Sequence, residues 1–264
     1  MQQNYTPKNK TMSKIVFITG ASSGIGAACA RKFAQGGYTL LLNARTKDKL
    51  QALKTELETT YGTDVLLLPF DVRDRKAAAE AITTLPAQYQ AIDILVNNAG
   101  LALGMDKEYE GTEENYDTMI DTNITALLMI TRLVVPGMIA RGKGHIINIG
   151  SVAGDAAYPG GSVYCATKAA VKVLSDGLRM DLVDTPLRVT NVKPGLVETN
   201  FSITRFGGDK ERADKVYQGI KPLTGEDIAD VVYYAANAPA HVQIAEVLVL
   251  ATHQASGSLV YRKG

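Results

Sequence analysis

Residues 14–30 read K-I-V-F-I-T-G-A-S-S-G-I-G-A-A-C-A. The unbroken apolar run from Ile15 to Ile18 predicts a buried strand. Gly20, Gly24 and Gly26 follow it, with Ser22, Ser23 and Ile25 between them, and Ala27 to Ala34 predicts a helix packed closely on a sheet. Glycines at a strand-to-helix turn let the backbone approach a pyrophosphate, and the helix N-terminus adds unpaired N–H groups and a favourable dipole. The spacing is G-x-x-x-G-x-G rather than G-x-G-x-x-G, and no Gly-Lys-Ser/Thr follows, which argues against a P-loop. On these residues alone, a dinucleotide cradle competes with an ordinary glycine-rich turn.

Beyond this stretch, strands and helices alternate. Ile15–Thr19 leads to a helix over Ile25–Gln35, Tyr38–Ala44 to one over Lys47–Tyr61, and Asp64–Phe70 to one over Arg73–Leu85. Asp93–Asn97 leads to helical segments within Glu113–Ala140, and Gly144–Gly150 to a helix within Gly161–Asp184. Arg188–Lys193 precedes an irregular stretch and a helix near Asp209–Gln218. Gly225–Ala236 is helical, and Val247–Leu250 is a last strand. Such alternation predicts parallel βαβ units with right-handed crossovers, an α/β Rossmann fold with a doubly wound sheet flanked by helices. No linker, repeat or low-complexity block interrupts residues 14–264, which read as a single domain. Residues 1–13 read as a flexible polar tail, with Met12 an alternative start. In open α/β sheets ligands bind beyond the C-terminal strand ends. Gly20, Asp71, Asn97, Ser151 and Pro194 all fall there.

The 264 residues are 46% hydrophobic and carry a net charge of +1. That composition suits a globular core and points away from nucleic acid and membrane surfaces. Cys29 and Cys165 lie far apart without metal spacing, and His145, His241 and His253 are scattered. We infer no metal and no disulfide framework, and read Cys165 as a small packing residue and His145 as a strand start. The N-terminus lacks the apolar region of a secretory signal, no apolar run reads as long enough to span a membrane, and cytoplasm is the expected location.

Tyr164 and Lys168 are four residues apart in Y-C-A-T-K, so on a helix they share a face. A phenol with a pKa near about 10 is a poor acid–base catalyst at neutral pH. A neighbouring ammonium favours the phenolate and makes proton exchange with an alcohol or carbonyl oxygen feasible. Ser151, upstream in I-N-I-G-S-V-A-G, can hold the same oxygen.

T-G-A-S-S-G-I-G (19–26), N-N-A-G (97–100), Asn123 in D-T-N, Ser151, Y-C-A-T-K (164–168) and P-G (194–195) occur in that order, and the chain resembles the short-chain dehydrogenase/reductase family from about Lys14 to nearly its end. The run P-G-L-V-E-T-N-F-S-I-T-R-F-G-G-D, with the tail P-A-H-V…T-H-Q-A-S, resembles the NADP-dependent 3-hydroxy acid dehydrogenase branch, which acts on serine, allo-threonine and related short hydroxy acids and reduces malonic semialdehyde.

The resemblance implies Tyr164 as general acid–base, Lys168 as its activator and ribose ligand, Ser151 as the hydrogen-bond partner of the reacting oxygen, and Asn123 as the anchor of a water linking Lys168 to solvent. It places Asp71 and Val72 at the adenine, Asn97, Ala99 and Gly100 at the ribose and sheet edge, and Pro194, Gly195, Val197 and Thr199 at the nicotinamide end. It also implies a homotetramer, for which the helices around Thr118–Ala140 and Gly161–Asp184 offer paired faces. Where an NAD site carries an acid, this chain has Ala44 and Arg45, and a guanidinium binds a 2′-phosphate that an acid would repel, so NADP(H) is the expected cofactor. Asn43 and Thr46 can add hydrogen bonds. Tyr158, Gly161, Phe201, Ser202, Arg205 and Phe206 are expected around the substrate, with Arg205 a candidate carboxylate ligand or an exposed loop residue. Two other readings remain open here, a carbonyl or ketoacyl reductase of broader substrate range and a non-catalytic NADP-sensing protein. The catalytic set does not separate substrates. The retained tyrosine and lysine favour an enzyme.

Overall fold

Val16 and Ile18 of the first strand point into one core, while Ile15 and Phe17 point into another, and all four are buried. A strand apolar at every position must be covered on both faces. In the computed structural model, which describes residues 13–263, helices provide that cover. The expected tail and Met12 lie outside the described residues, apart from Ser13.

The strands are β1 (Ile15–Ile18), β2 (Thr39–Asn43), β3 (Val65–Leu68), β4 (Ile92–Asn97), β5 (His145–Ile149), β6 (Arg188–Pro194) and β7 (Glu246–Val249). They form one parallel sheet in the order β3-β2-β1-β4-β5-β6-β7. The helices are α1 (Gly24–Gln35), α2 (Lys47–Tyr61), α3 (Arg75–Thr83), α4 (Glu113–Ile120), α5 (Ala126–Arg141), α6 (Ser162–Asp181), α7 (Asn200–Arg205), α8 (Lys210–Lys215) and α9 (Gly225–Asn237). Phe33 of α1, Leu50, Leu53 and Leu57 of α2, and Val232 of α9 fill the core that receives Val16 and Ile18. Ile82 of α3 and Ile130, Val134 and Met138 of α5 fill the core that receives Phe17, Leu41 and Leu95. The strand order reverses beside β1, which opens a crevice beyond the C-terminal ends of β1 and β4.

The structure departs from the expected elements mainly after Asn97. The stretch expected to be irregular after Pro194 contains α7, capped by the Thr199 side chain, which accepts from Phe201 N at 3.2 Å. The helix expected near Asp209–Gln218 is the shorter α8. Between α4 and α5 the chain makes a π-helical turn over Asp121–Thr125 that keeps the rod continuous from Glu113 to Arg141. This corrects the expectation that no apolar stretch reaches membrane length. The rod has 29 residues, and its best window has a mean hydropathy of 1.6, long and apolar enough to span by length and composition. Its sheet-facing side, Ile130, Val134 and Met138, is a core face, and 39% of that window is buried.

His145 starts β5 and is buried. Thr190 on β6 donates its hydroxyl proton to Ile244 O at 2.6 Å, so the His145 Nε2–H must donate to Thr190 Oγ1, 2.8 Å away. Nδ1 is left without a partner among the described residues. Burial, aided by the Arg188 charge, lowers the imidazole pKa from 6.5 to about 3. Between those values the unfolded chain binds a proton that the folded chain refuses. The stability contributed by the neutral ring is therefore fully present above pH 6.5 and is lost as pH falls toward 3. On going from about pH 6.5 to about pH 4.5, urea unfolding of the unmutated protein should show a stability loss about 2 kcal/mol larger than that of His145→Asn. Parallel pH curves for the two proteins would show that the ring does not stay neutral.

Candidate active site

A cleft of about 660 Å³ runs along the C-terminal edge of the sheet. Its floor is the turn between β1 and α1. Gly20 has φ +65° and Gly24 has φ +52°; a Cβ on Gly20 would stand 2.9 Å from the Ala99 backbone and one on Gly24 3.2 Å from Thr199. Only glycine combines that backbone with that approach. Ser23, extended at the N-cap of α1, makes no side-chain capping bond, and no acid occupies the first turn. Among the described residues the first N–H groups of α1 thus lack a side-chain acceptor, unlike those of α3, α4, α8 and α9, which Asp74, Thr112, Asp209 and Thr224 cap.

Most of the expected cofactor residues meet in this cleft: Gly20, Ser22, Ser23, Gly24, Ile25, Arg45, Thr46, Asp71, Val72, Ala99, Gly100, Tyr164, Lys168, Pro194, Gly195, Val197 and Thr199 all line it. Three expected site residues stand behind its wall. Gly26 packs the start of α1 on the turn, since a Cβ there would clash with Gly20 O. Asn97 is directed into the sheet, where its amide donates to Thr131 Oγ1 at 3.0 Å and Asn148 Oδ1 at 2.9 Å. Asn98 lines the cleft instead and ties β4 to the glycine turn, donating to Thr19 O and Gly20 O at 2.9 and 3.1 Å. The pleat explains the exchange, because successive residues face opposite ways at a strand end.

Asn123 is the third. Buried in the π-helical turn, it accepts from Leu101 N at 2.9 Å and donates to Leu101 O at 2.8 Å and Thr167 Oγ1 at 2.9 Å, clamping the loop after Gly100 to α6. Asn43 also differs from expectation. Its amide donates to Leu68 O and Phe70 O, both at 2.9 Å, leaving neither N–H for a ligand.

The catalytic candidates lie at the centre. Lys168 Nζ donates to Ile149 O at 2.8 Å and stands 5.9 Å from the Tyr164 ring centre. Burial pulls the Lys168 pKa down to about 8. Burial likewise raises the Tyr164 phenol above its ordinary value, against the lowering influence of the Ser151 hydroxyl and the Arg205 charge. In the protein alone desolvation therefore outweighs the Ser151 hydroxyl and the Arg205 charge. Ser151 ends the β5 connection, and its Oγ accepts from Ala153 N at 3.1 Å.

Over this centre lies α7. Phe201 packs on Tyr164 with ring centres 5.5 Å apart. Arg205 donates from Nε to Gly104 O at 3.1 Å and from Nη1 to the Tyr158 hydroxyl at 2.9 Å, with its guanidinium carbon 5.9 Å from the Tyr164 ring centre. Arg205 is thus a cleft residue, and its Nη2 has no hydrogen bond among the described residues. Sequence reasoning missed Arg73, Gln254 and Arg262, which also line the cleft. Gln254 Oε1 accepts from Leu196 N at 2.8 Å. It lies in the T-H-Q-A-S run, so a signal existed; Arg262, a lone arginine near the end, gave none.

A glycine-walled turn, a helix start without a side-chain cap, a guanidinium beyond β2 and a Tyr–Lys–Ser centre fit a phosphorylated dinucleotide.

The short chain dehydrogenase family model matches residues 14–208. The chain is 48% identical over 246 residues to an NADP-dependent 3-hydroxy acid dehydrogenase YdfG of Salmonella typhimurium, covering 93% of this chain and 98% of that one. It is 45% identical over 251 residues to an NADP-dependent 3-hydroxy acid dehydrogenase of Schizosaccharomyces pombe, covering 95% and 97%. Among solved structures, the closed form of a serine dehydrogenase complexed with NADP+ superposes with a TM-score of 0.88 at 45% identity, over 95% of this chain and all of that one. Serine dehydrogenase from Escherichia coli gives 0.79 at 42% identity, over 91% and 99%. By its motifs, its sheet and this similarity along nearly its whole length, the chain belongs to the short-chain dehydrogenase family.

Proposed function

We propose that this protein is an NADP-dependent oxidoreductase that interconverts short 3-hydroxy acids, such as serine, allo-threonine and 3-hydroxyisobutyrate, with their 3-oxo counterparts, malonic semialdehyde among them. The relatives' names support the reaction class. The observation that carries the substrate class is Arg205, a cation in the same cleft as Tyr164 with Nη2 free of hydrogen bonds among the described residues. In a 3-hydroxy acid the carboxylate is two carbons from the reacting carbon. With the hydroxyl at Tyr164 and Ser151, the carboxylate extends toward α7 and Arg205.

In this mechanism Ser151 hydrogen-bonds the reacting oxygen and fixes the hydroxyl against Tyr164. Tyr164 removes the hydroxyl proton in oxidation and returns it in reduction. Lys168, held by Ile149 O, and Arg205 place positive charge beside the phenol and favour the phenolate against the opposing effect of burial. Asn123 keeps the Gly100–Leu101 loop on α6, which preserves the wall beside Lys168. Bound NADP(H) supplies the hydride acceptor or donor. Phe201 and Tyr158 shield the centre from water.

The same reading places the enzyme in the cytoplasm as a homotetramer. The exposed apolar residues Leu128 and Ile139 on α5 and Val173 and Met180 on α6 support paired faces there.

Three measurements test the proposal. Tyr164→Phe should lower kcat by at least about a hundredfold while leaving the NADPH dissociation constant within about twofold, because one reacting oxygen is lost and little packing changes. Near-normal turnover would remove Tyr164 from the chemistry. Arg205→Ala should raise KM about ten- to a hundredfold for the acid and leave the KM of its methyl ester nearly unchanged, as a charge-assisted contact predicts, while any fall in kcat through the Tyr164 phenol is shared by acid and ester. Equal effects on acid and ester would take Arg205 out of the carboxylate site, and activity confined to bulky neutral ketones would favour a general carbonyl reductase. Light scattering should give a particle of about four chain masses; a monomer at working concentration would end the tetramer assignment.

A further inference from the structure

We propose that Arg73 is a specificity residue for the cofactor: by occupying the Asp71 carboxylate, it keeps the Arg45 guanidinium available for a phosphate on the ribose 2′-oxygen. The inference rests on the NADP reading above and deepens it.

Arg45, Asp71 and Arg73 all line the same end of the cleft. Asp71 terminates the connection after β3 and points its carboxylate toward Arg45. Left alone, that carboxylate would act against a 2′-phosphate twice, by repelling it and by pairing with the guanidinium meant for it. Arg73 removes both effects. Its backbone N–H donates to Asp71 Oδ1 at 3.0 Å, its Nε lies 3.2 Å from each carboxylate oxygen, and its Nη2 donates to Oδ2 at 2.8 Å. Arg45 Nη1, by contrast, stays 3.9 Å from Oδ2. The Arg45 side chain is 62% exposed and makes no hydrogen bond among the described residues, so nothing else restrains it.

The order of electrostatic influence agrees with the geometry. The Asp71 carboxyl is held below its ordinary pKa first by the Arg73 side-chain bond, and Arg45 contributes least among its causes. Asp71 is thus already neutralised by Arg73. Two guanidinium groups face one carboxylate, and the cation in excess is the one standing after β2, where the ribose of a dinucleotide lies in this fold. Without Arg73, a rotation of Arg45 by about an ångström would close the Arg45–Asp71 pair at normal hydrogen-bond length, in competition with the phosphate.

Arg73 is not offered here as a direct phosphate ligand, and the two roles separate experimentally. Titration calorimetry of the full-length protein with adenosine 2′,5′-bisphosphate and with 5′-AMP isolates the 2′-phosphate without the nicotinamide. The unmutated protein should bind the bisphosphate at least about tenfold more tightly. Arg73→Gln should reduce that ratio about tenfold by weakening bisphosphate binding alone. Adding Asp71→Asn to Arg73→Gln should restore the ratio, because the competing carboxylate is gone. An unchanged ratio in Arg73→Gln, or an equal loss for both nucleotides, would overturn the inference while leaving the NADP reading in place. A double variant that fails to recover would also overturn it, since Arg73 would then contact the phosphate itself. No bisphosphate preference in the unmutated protein would overturn the NADP reading and this inference with it.

Discussion

β1 is buried on both faces, with Val16 and Ile18 packed under α1, α2 and α9, and Ile15 and Phe17 packed against residues of α3 and α5. Such a strand needs helices above and below, and helices can alternate faces only if they connect parallel strands by crossovers. All seven strands then point the same way, and each strand's outgoing connection leaves from the same edge. The glycine turn, the Asp71 corner, Asn98, Ser151 and the Pro194–Gly195 turn meet in one cleft for this reason. The site is a consequence of covering the sheet.

The same burial creates the main electrostatic tension of the site. Desolvation raises the Tyr164 pKa and lowers that of Lys168 to about 8, both against ionisation. A phenol in such a place can work as an acid–base group only if positive charge is held near it. Lys168 approaches from its own helix and Arg205 from α7, which packs across the cleft through Phe201 and the Gly104 and Tyr158 bonds. In the proposed mechanism, the segment that would recognise the substrate's carboxylate therefore also contributes charge to the reacting centre.

The polar residues behind the cleft show how a fold holds its shape without touching a ligand. Asn97 links β4 to β5 and α5, Asn43 links β2 to the end of β3, and Asn123 links the loop after β4 to α6. Buried amides demand partners, and here they are the carbonyls of Leu68, Phe70 and Leu101 and the side-chain oxygens of Thr131, Asn148 and Thr167. The π-helical turn that carries Asn123 lets one long rod present a core face on α5 and a cleft residue, Thr122, on its earlier part.

The sequence by itself determined the alternation of strands and helices, the edge on which the motifs lie, the glycine turn, the Tyr164–Lys168 pair and the Arg45 position. Each is written in local periodicity or in spacing of a few residues, and local spacing survives folding unchanged. Tertiary structure alone decided which of Asn97 and Asn98 faces the cleft, that the Asn43 amide is taken by β3, that Arg73 rather than Arg45 holds Asp71, and that Arg205 folds inward onto Tyr158. Those outcomes depend on strand register, on competition among partners far apart in sequence and on the path of α7 over the sheet. None of these is fixed by the residues flanking the side chain in question, because a hydrogen bond or ion pair goes to whichever partner the packed chain brings within about 3 Å.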